Sequence, residues 1–348
     1  MTIKQVLLEQ VNENMILAQD VVDKYGRILI ASGITLKREI IILLEKHEVF
    51  SVCIEGPSIT NVEIETTPDV VSMNTRLKLN SSVKNAFSNT TNSLLTVHLA
   101  ELQSYVETVV YTVSNRKNLL LYLHDLDHVS DYLFVHSVNV GLFSIVIGMA
   151  MNLPYDELCL LGMGGILHDF GKTIISPDIV NKQGPLNLAE FNEIKEHPYV
   201  GYKKLRSDTD LDYRILFMVL QHHERCNGSG YPRGTPWEKI HHLARIVAVA
   251  DVYDALTTDR VYHSRLSSLA AMQMINEGER IHFDPYVIAA FNKVAIPYHI
   301  NSDVILNNGV NGKVVKLNSA NLMRPLLATE QGMINLLHEP NMKIISAK

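Results

Sequence analysis

Histidines are concentrated in the middle of the chain, where they could bind metal. Ten of the 15 histidines lie between His124 and His263. Two of them, His222 and His223, are adjacent and begin the stretch HHERCNGSGYP. Adjacent imidazoles contribute little to a hydrophobic core, whereas neutral imidazole is a common metal ligand in proteins. The stretch therefore indicates a metal site, provided that other segments supply further ligands.

Further candidate ligands lie in apolar segments with helical spacing, or at the ends of such segments. His136 lies in YLFVHSVNVGLFSIVIG, and His168 and Asp169 close LCLLGMGGILHDFGK. Asp251 interrupts LARIVAVADVYDAL, and His197 precedes a proline in IKEHPYVG. Before a proline, the pattern predicts that a helix ends or bends. Several helical segments therefore each present an imidazole or a carboxylate at a buried or junctional position.

Asp251 is the most informative single residue of this set. In a helix without a polar face its carboxylate would be buried, and an unpaired buried charge costs on the order of several kcal/mol. Pairing with an arginine such as Arg245, or capping of a neighbouring helix, would also neutralise it. His136 taken alone is interpreted as a hydrogen-bonded core histidine. The joint occurrence of these residues is what favours metal binding.

The mixture of ligand types indicates which metals would fit. Histidine with carboxylate suits iron, manganese or zinc, whereas magnesium prefers oxygen ligands. Six or more candidate ligands are too many for one tetrahedral site. They suit two metal ions that share a bridging carboxylate, the arrangement used for in-line attack on phosphodiesters.

The composition is that of a globular protein, with 47% hydrophobic and 20% charged residues. A formal net charge of −6 argues against a broad surface for nucleic acid or anionic membrane. The most apolar stretch, residues 142–151, is shorter than the about 20 residues of a membrane span, and the N-terminus lacks the pattern of a signal peptide. We therefore expect a cytoplasmic protein with neither a nucleic-acid nor a membrane partner.

The hydrophobic patterns predict three parts along the chain. Residues 1–75 combine hairpin and helix patterns and form a small α/β N-terminal domain and linker. Residues 76–296 carry apolar residues at three- and four-residue spacing and form a helical catalytic domain. Residues 297–348 contain Asn-Gly twice and alternating valines, which predicts a β-rich C-terminal extension. The predicted fold class is mainly α.

These residues resemble the HD-GYP family, a branch of the HD-domain metal-dependent phosphohydrolases. The HD pair corresponds to His168 and Asp169, and the GYP triplet to residues 230–232. The segments LHDFGK, IKEHP, HHERCNGSGYP, ARIVAVADVYDALTTDR and FDP occur in the family's order and approximate spacing. They cover roughly residues 125–295, and the resemblance implies an all-helical HD-type catalytic domain.

The resemblance also implies a metal centre. Its ligands would be His136, His168, Asp169, His197, His222, His223 and Asp251. Asp169 would bridge two ions, and a hydroxide held between them would be the nucleophile. The implied cofactors are two divalent transition metal ions, iron or manganese first, with zinc, nickel and cobalt as alternatives. Members with three metals carry a glutamate where this chain has Tyr132, so two ions are expected.

The activity that the resemblance implies is hydrolysis of cyclic di-GMP, with either pGpG or GMP as the end product. Asp169 and Lys172 would be the catalytic residues. Lys172 and Arg260 would hold substrate phosphates, and His263 stands where a second cation is common in the family. Tyr231 would stack on a guanine or anchor its loop. The same loop is a candidate contact for GGDEF-domain proteins, the cyclases that make this messenger.

Two other functions stay open at this point. One is a messenger-binding adaptor with slow or no turnover, because RVYH replaces the common RPYR at residues 260–263. The other is hydrolysis of another cyclic dinucleotide or of nucleotide monophosphates, because guanine recognition depends on pocket shape. Neither the role of the N-terminal domain nor the oligomeric state follows from the sequence.

Overall fold

The structure is a computed structural model, and it divides the chain into two units, Met1–Thr66 and Thr67–Lys348. It describes residues 2–8, 11, 15–22, 28–47, 49, 51–56, 70–88, 92–115, 132–182, 184–258, 265–318 and 320–347. Of the predicted site residues, Arg260 and His263 lie outside the described residues, as does most of the predicted linker.

The first unit is a small α/β domain. Strand β1 (Thr2–Leu7) pairs antiparallel with β4 (Ser51–Gly56), and β2 (Val21–Val22) pairs antiparallel with β3 (Ile28–Ile30). Helix α1 (Arg38–Lys46) lies between β3 and β4 in the chain. A cluster of buried aliphatic side chains, including Leu17, Leu36 and Ile54, forms its core. The predicted small α/β domain is confirmed.

The second unit is mostly helical. Its helices are α2 (Met73–Ser88), α3 (Asn92–Ser114), α4 (Tyr132–Ala150), α5 (Tyr155–Leu167), α6 (Pro177–Val180), α7 (Leu188–Ile194), α8 (His197–Asp208), α9 (Tyr213–Gln221), α10 (His242–Thr257), α11 (Ser268–Glu277) and α12 (Pro285–Val294). One continuous core of buried aliphatic and aromatic side chains joins them. The predicted helical fold is confirmed.

Helix α4 is the central helix of this unit. Every residue from Val135 to Gly148 is buried. The helix is long and apolar enough to cross a membrane, but 78% of its most apolar window is buried inside the protein. An apolar helix that is buried all round is typical of the core of a large domain. His136, near its beginning, therefore lies in the protein interior.

A five-stranded antiparallel sheet follows the last helix. Its strands are β5 (Asp303–Leu306), β6 (Asn311–Lys316), β7 (Leu326–Thr329), β8 (Gly332–Asn335) and β9 (Ile344–Ala347), in the order β8-β7-β6-β5-β9. The core side chains of the sheet, such as Val304 and Leu327, pack with Leu269 of α11 and with Tyr298. The predicted β-rich extension is confirmed.

Candidate metal centre

The structure brings the seven predicted metal ligands together in two adjoining groups. Within each group, one ligand atom per residue lies within 4.8 Å of the others. The first group is His136, His168 and Asp251, and the second is Asp169, His197, His222 and His223. Six of the seven residues are buried, and His223 is half-buried.

Asp169 connects the two groups because its two carboxylate oxygens face different histidines. Oδ2 lies 3.3 Å from Nε2 of His168 and 3.6 Å from Nε2 of His136. Oδ1 lies 3.2 Å from Nε2 of His197 and 3.9 Å from Nε2 of His222. A carboxylate in this position has the geometry to bridge two cations.

Helix ends place three histidines from the two groups around Asp169. His168 is the C-cap of α5, and His222 is the C-cap of α9. Helix α7 ends at Ile194, as predicted for the segment before the proline, and a new helix, α8, begins at His197 with Pro198 in its first turn. The backbone of Gly171 lies directly against the carbonyl of His197, where a Cβ would collide. This close approach brings His197 to Asp169.

Backbone carbonyls fix the orientation of three imidazoles. Nδ1 of His168 donates to Gly165 O at 2.7 Å, and Nδ1 of His197 donates to Ile194 O at 2.7 Å. Nδ1 of His222 donates to Val219 O at 2.9 Å. Each bond selects the tautomer whose Nε2 carries no proton and points to the centre, as metal-binding histidines require.

His136 is oriented by a carboxylate instead. Its Nδ1 lies 2.7 Å from Oδ2 of Asp254, and its Nε2 lies 3.2 Å from Oδ1 of Asp251. The other Asp254 oxygen, Oδ1, accepts a hydrogen bond from Nδ2 of Asn139 at 2.8 Å. Asp254 is only 1% exposed. A carboxylate behind a ligating imidazole raises the basicity of the ligand and holds its ring in place.

Electrostatics divide the histidines into two kinds. Burial lowers the pKa of His136, but the neighbouring Asp251 and Asp254 outweigh burial and raise this pKa to about 9. Burial together with neighbouring histidines holds the pKa of His222 well below its usual value. Burial likewise holds the pKa of His223 well below its usual value, with His197 adding to the effect. His222 and His223 are therefore neutral near pH 7, the form that binds a cation.

The carboxylates of the centre are ionised. Burial alone would raise the pKa of Asp169, but His168 and Lys172 hold it well below its ordinary value. Burial would also raise the pKa of Asp251, but a hydrogen bond with His136 and the nearby charge of His168 hold it well below its ordinary value. Arg245, the alternative partner for Asp251, instead pairs with Asp284 at 2.8 Å. Pairing with Arg245 therefore does not explain the buried Asp251 carboxylate.

Unsatisfied buried atoms indicate that the site fits metal ions. Nε2 of His168 and Oδ1 of Asp169 are fully buried and have no hydrogen-bond partner among the described residues. His197 lies close to Oδ1 but outside hydrogen-bond geometry. Because native proteins rarely leave buried polar atoms unpaired, and imidazole with carboxylate suits divalent transition metals, the donor set fits such ions.

Two further predicted residues border the centre. Nζ of Lys172 lies 2.6 Å from Oδ2 of Asp169, and the side chain is 26% exposed. The ring of Tyr231 stacks on His223, with centroids 4.5 Å apart, and Nζ of Lys195 lies 5.4 Å above the Tyr231 ring. Burial raises the pKa of Tyr231, with Asp251 adding to the effect, so the phenol is neutral. Lysine and tyrosine thus line the side of the centre that faces solvent.

The loop that carries Tyr231 is held by Glu224. Glu224 is 3% exposed. Its carboxylate accepts hydrogen bonds from the backbone of Arg233 at 3.0 Å and of Thr235 at 2.8 Å, and from the Thr235 hydroxyl. The backbone of Gly230 lies so close to Glu224 and to the next residue that a Cβ would collide with them. Glu224 and Gly230 together position the ring of Tyr231 on that of His223.

Tyr132 stands where the resemblance places a glutamate in members with three metals. Its ring stacks on His136, with centroids 5.5 Å apart and planes 13° apart. A tyrosine that packs on the ligand ring supplies no carboxylate to a further cation.

Several histidines and the loop cysteine do not join the centre. His241 caps α10 by accepting from Leu243 N, and His242 faces Glu157 at 3.5 Å. Cys226 belongs to neither ligand group in the part of the chain that the structure describes. His124 and His128 lie outside the described residues.

Three residues that support the centre are not among the predicted ones: Asp254, Asn139 and Glu224. Asp254 could have been found, because it follows Asp251 at three residues in the same apolar segment and so shares its buried helix face. Glu224 stands between the paired histidines and the glycine loop, which is a usable signal. The contribution of Asn139 depends on which helices pack together, and no local pattern carries that information.

Comparison with known proteins identifies the class of the helical unit. Residues 130–287 match the family model described as HD domain. Over 84% of this chain and 99% of its own, the solved structure of Bd1817, a HDG"Y"P protein from Bdellovibrio bacteriovorus, superposes with a TM-score of 0.54 at 16% identity. These matches show the fold, and the helical unit is an HD domain.

Curated relatives narrow the family. The cyclic di-GMP phosphodiesterase PA4108 of Pseudomonas aeruginosa is 35% identical over 230 residues, which are 66% of this chain and 55% of the relative. The 3'3'-cGAMP-specific phosphodiesterase 3 of Vibrio cholerae is 30% identical over 172 residues, which are 48% of this chain and 36% of the relative. The chain thus spans about half or less of the length of the relatives it matches. These matches confirm the predicted resemblance to the HD-GYP family.

Proposed function

We propose that this protein is a metal-dependent phosphodiesterase that hydrolyses cyclic di-GMP to pGpG and then to GMP. The observation that carries the proposal is Asp169, whose two oxygens face two separate groups of imidazoles in the protein interior. Several relatives with 34–39% identity are named cyclic di-GMP phosphodiesterases, which supports the choice of substrate.

The proposed ligands are the seven residues of the two groups, and two divalent transition metal ions, iron or manganese first, would fit them. Bound there, such ions would supply Lewis acidity that lowers the pKa of water and neutralises charge on a phosphodiester. The protein's contribution is to hold the donors in place before substrate arrives. His222 and His223, already neutral, would not have to lose a proton to bind an ion.

Lys172 and Tyr231 are proposed to hold the substrate. The Lys172 ammonium already lies beside Asp169 and is partly exposed, so it could contact a phosphate at the same centre. A charge-assisted hydrogen bond of this kind also stabilises the charge that builds on the phosphoryl oxygens. Tyr231 presents an aromatic ring at the solvent side, where a guanine could stack. Arg260 and His263 stay proposals from the sequence, as do the GGDEF-domain partner and the cytoplasmic location.

The net reaction adds water across one phosphodiester bond. The bond between phosphorus and the ribose oxygen breaks, the phosphate keeps the new oxygen, and the ribose oxygen takes a proton. One such step opens the ring to pGpG, and a second step on the remaining linkage yields GMP.

A second candidate function has a specific observation in its favour. A relative that matches 48% of this chain is named a 3'3'-cGAMP-specific phosphodiesterase, so a protein similar to this chain is named for a different dinucleotide. The two functions share the metal centre and differ in how the bases are recognised. A messenger-binding adaptor is the third candidate, because the residues at 260–263 depart from the common pattern.

Product analysis distinguishes these functions. The full chain, loaded anaerobically with Mn²⁺ or Fe²⁺, is incubated with cyclic di-GMP and separately with 3′3′-cGAMP, and products are separated by ion-exchange chromatography. Linear pGpG from cyclic di-GMP supports the proposal. Turnover of 3′3′-cGAMP alone supports the second candidate. Tight binding of cyclic di-GMP without product by the metal-loaded chain supports the adaptor and refutes the proposed activity.

A further inference from the structure

Helix α2, which precedes the matched residues 130–287, carries a buried arginine that is linked to the metal centre by hydrogen bonds. Arg76 lies one turn inside α2 and is 1% exposed. Among the described lysines and arginines, it is the one that is buried. Removing a guanidinium from water is costly unless it is hydrogen-bonded and paired with negative charge. A fully buried arginine outside the matched residues therefore needs an explanation.

A chain of buried hydrogen bonds leads from Arg76 to a proposed metal ligand. Nη2 of Arg76 donates to Oδ1 of Asn139 at 3.1 Å, and Nδ2 of Asn139 donates to Oδ1 of Asp254 at 2.8 Å. Oδ2 of Asp254 lies 2.7 Å from Nδ1 of His136. All four side chains are at most 6% exposed. The bonds thus run without interruption from α2 to the imidazole that faces Asp251.

Arg76 and Asp254 hold the Asn139 amide from its two sides. An asparagine amide can be reversed, which exchanges its donor and its acceptor. Because the guanidinium only donates, it holds Oδ1 of Asn139 on its own side and turns the NH₂ group toward Asp254. With no donor at position 76, Oδ1 of Asn139 would be a buried acceptor without a partner, and the amide would move to find another donor. The Asp254 carboxylate would then lose a hydrogen bond and turn away from His136.

We propose that Arg76 is a positioning residue of the metal centre, acting through Asn139 and Asp254 on the ring of His136. The proposal rests on the metal site of the proposed function. It extends that site to a helix outside the matched residues 130–287. A second contact supports the role of α2. Phe87, at the other end of the helix, packs edge-to-face on Phe170, the residue after Asp169, with ring centroids 5.4 Å apart.

The test compares Mn²⁺ affinity in matched variants of the full chain. Free Mn²⁺ is measured by its electron paramagnetic resonance signal during titration of the protein. Arg76→Met should weaken the binding of Mn²⁺ about tenfold or more, the effect typical of residues that orient a metal ligand. Arg76→Lys, which keeps a charged donor, should recover part of this loss. Recovery by lysine separates hydrogen bonding from mere filling of space.

A control on the same helix separates this role from general stability. Val83 is 0% exposed in α2 and packs in the helical core, away from the hydrogen-bond chain. Val83→Ala should lower the melting temperature but leave Mn²⁺ affinity unchanged. If Arg76→Met does not fold by circular dichroism, Asn139→Ser interrupts the same chain with a smaller change, and the same loss of affinity is expected.

A double-mutant cycle tests whether Arg76 acts through Asp254. In an Asp254→Asn background, Arg76→Met should change Mn²⁺ affinity by less than about twofold, because coupled residues are not additive. Wild-type Mn²⁺ affinity in Arg76→Met, or an undiminished tenfold loss in the Asp254→Asn background, overturns the proposal. A wild-type chain that binds no Mn²⁺ overturns the metal centre itself, and so the two failures are distinguishable.

Discussion

Replacement of Asp169 by asparagine is the perturbation that most directly affects both ligand groups. Asp169→Asn keeps the shape of the side chain but removes the negative charge and turns one oxygen into an NH₂ donor. Each Asp169 oxygen lies within 3.6 Å of an imidazole nitrogen, so both groups lose a ligand atom or its charge. The former partner Lys172 is 26% exposed and can turn to water, so the metal-free fold should be retained.

The expected loss follows from the charge removed. A carboxylate about 4 Å from a charge contributes about 4 kcal/mol at an effective dielectric constant of 20. Since about 2.7 kcal/mol corresponds to a hundredfold change in affinity, each ion should bind more than a hundredfold more weakly. At a free ion concentration of about 100 times Kd, two ions stabilise the wild type by about 5 kcal/mol, and the variant by less than about 1 kcal/mol.

Differential scanning calorimetry with and without Mn²⁺ measures this difference. At about 2 °C per kcal/mol for a large domain, Mn²⁺ should raise the wild-type melting temperature by about 10 °C and the variant by about 2 °C or less. Asp178→Asn on α6 is the matched control, because Asp178 is exposed and outside the ligand groups. An Asp169→Asn variant that keeps the full Mn²⁺-induced shift, or that retains both ions by elemental analysis, would refute the bridging role.

Four further predictions concern other residues. Asp251→Asn should reduce bound metal more than it reduces helix content, which elemental analysis and circular dichroism compare; unchanged metal content contradicts its place in the first group. Arg260→Ala should raise KM for cyclic di-GMP about tenfold at unchanged metal content, since a charge-assisted contact contributes about 1.5–3 kcal/mol. His263→Arg should tighten the binding of cyclic di-GMP at pH 8 more than at pH 6. Equal affinities of this variant and the wild type at pH 8 would place His263 away from the substrate. Burial, with His242 adding to the effect, lowers the pKa of His241 to about 4, so the folded state favours the neutral ring and loses stability as pH falls below about 6.5. His241→Asn keeps a helix cap and should reduce the loss of unfolding free energy between pH 6.5 and 4 by about 1 kcal/mol, after allowance for the exposure of His241. Denaturant unfolding measures this loss, and an unchanged pH slope would contradict the lowered pKa of His241.

The helical residues of the centre could be predicted from local patterns because each is a polar residue within a single apolar segment. Asp251 and His136 interrupt apolar helices, and a polar group in such a place must be satisfied by something. His197 shows the limit of this reasoning. The proline after it disfavours a helix that continues from before, but it is also the residue best suited to a first turn. Only the packing of α8 against the turn after Asp169 shows that Pro198 lies in the first turn of a new helix.

Turn signals show the same limit in the C-terminal sheet. Gly309 of the first Asn-Gly pair has a φ of +82° and forms the turn between β5 and β6. The second Asn-Gly pair, at 311–312, lies inside β6. The sequence is identical at both pairs, and strand pairing decides which of them turns the chain.

The support behind the ligands depends on contacts between distant segments. Arg76 and Asn139 are 63 residues apart, and Asn139 and Asp254 are 115 residues apart. Neither pair shares a helix or a sequence motif. A buried polar side chain needs a hydrogen-bond partner, but both the burial of these residues and the identity of their partners follow only from how α2, α4 and α10 pack.

Anomalous diffraction from crystals of the Mn²⁺-loaded protein tests the central claim, a two-ion centre bridged by Asp169, most directly. Data collected on either side of the manganese absorption edge should give two peaks per chain. One peak should lie among His136, His168 and Asp251, the other among His197, His222 and His223, with one Asp169 oxygen toward each. A single peak, or peaks that Asp169 does not contact, would contradict the account.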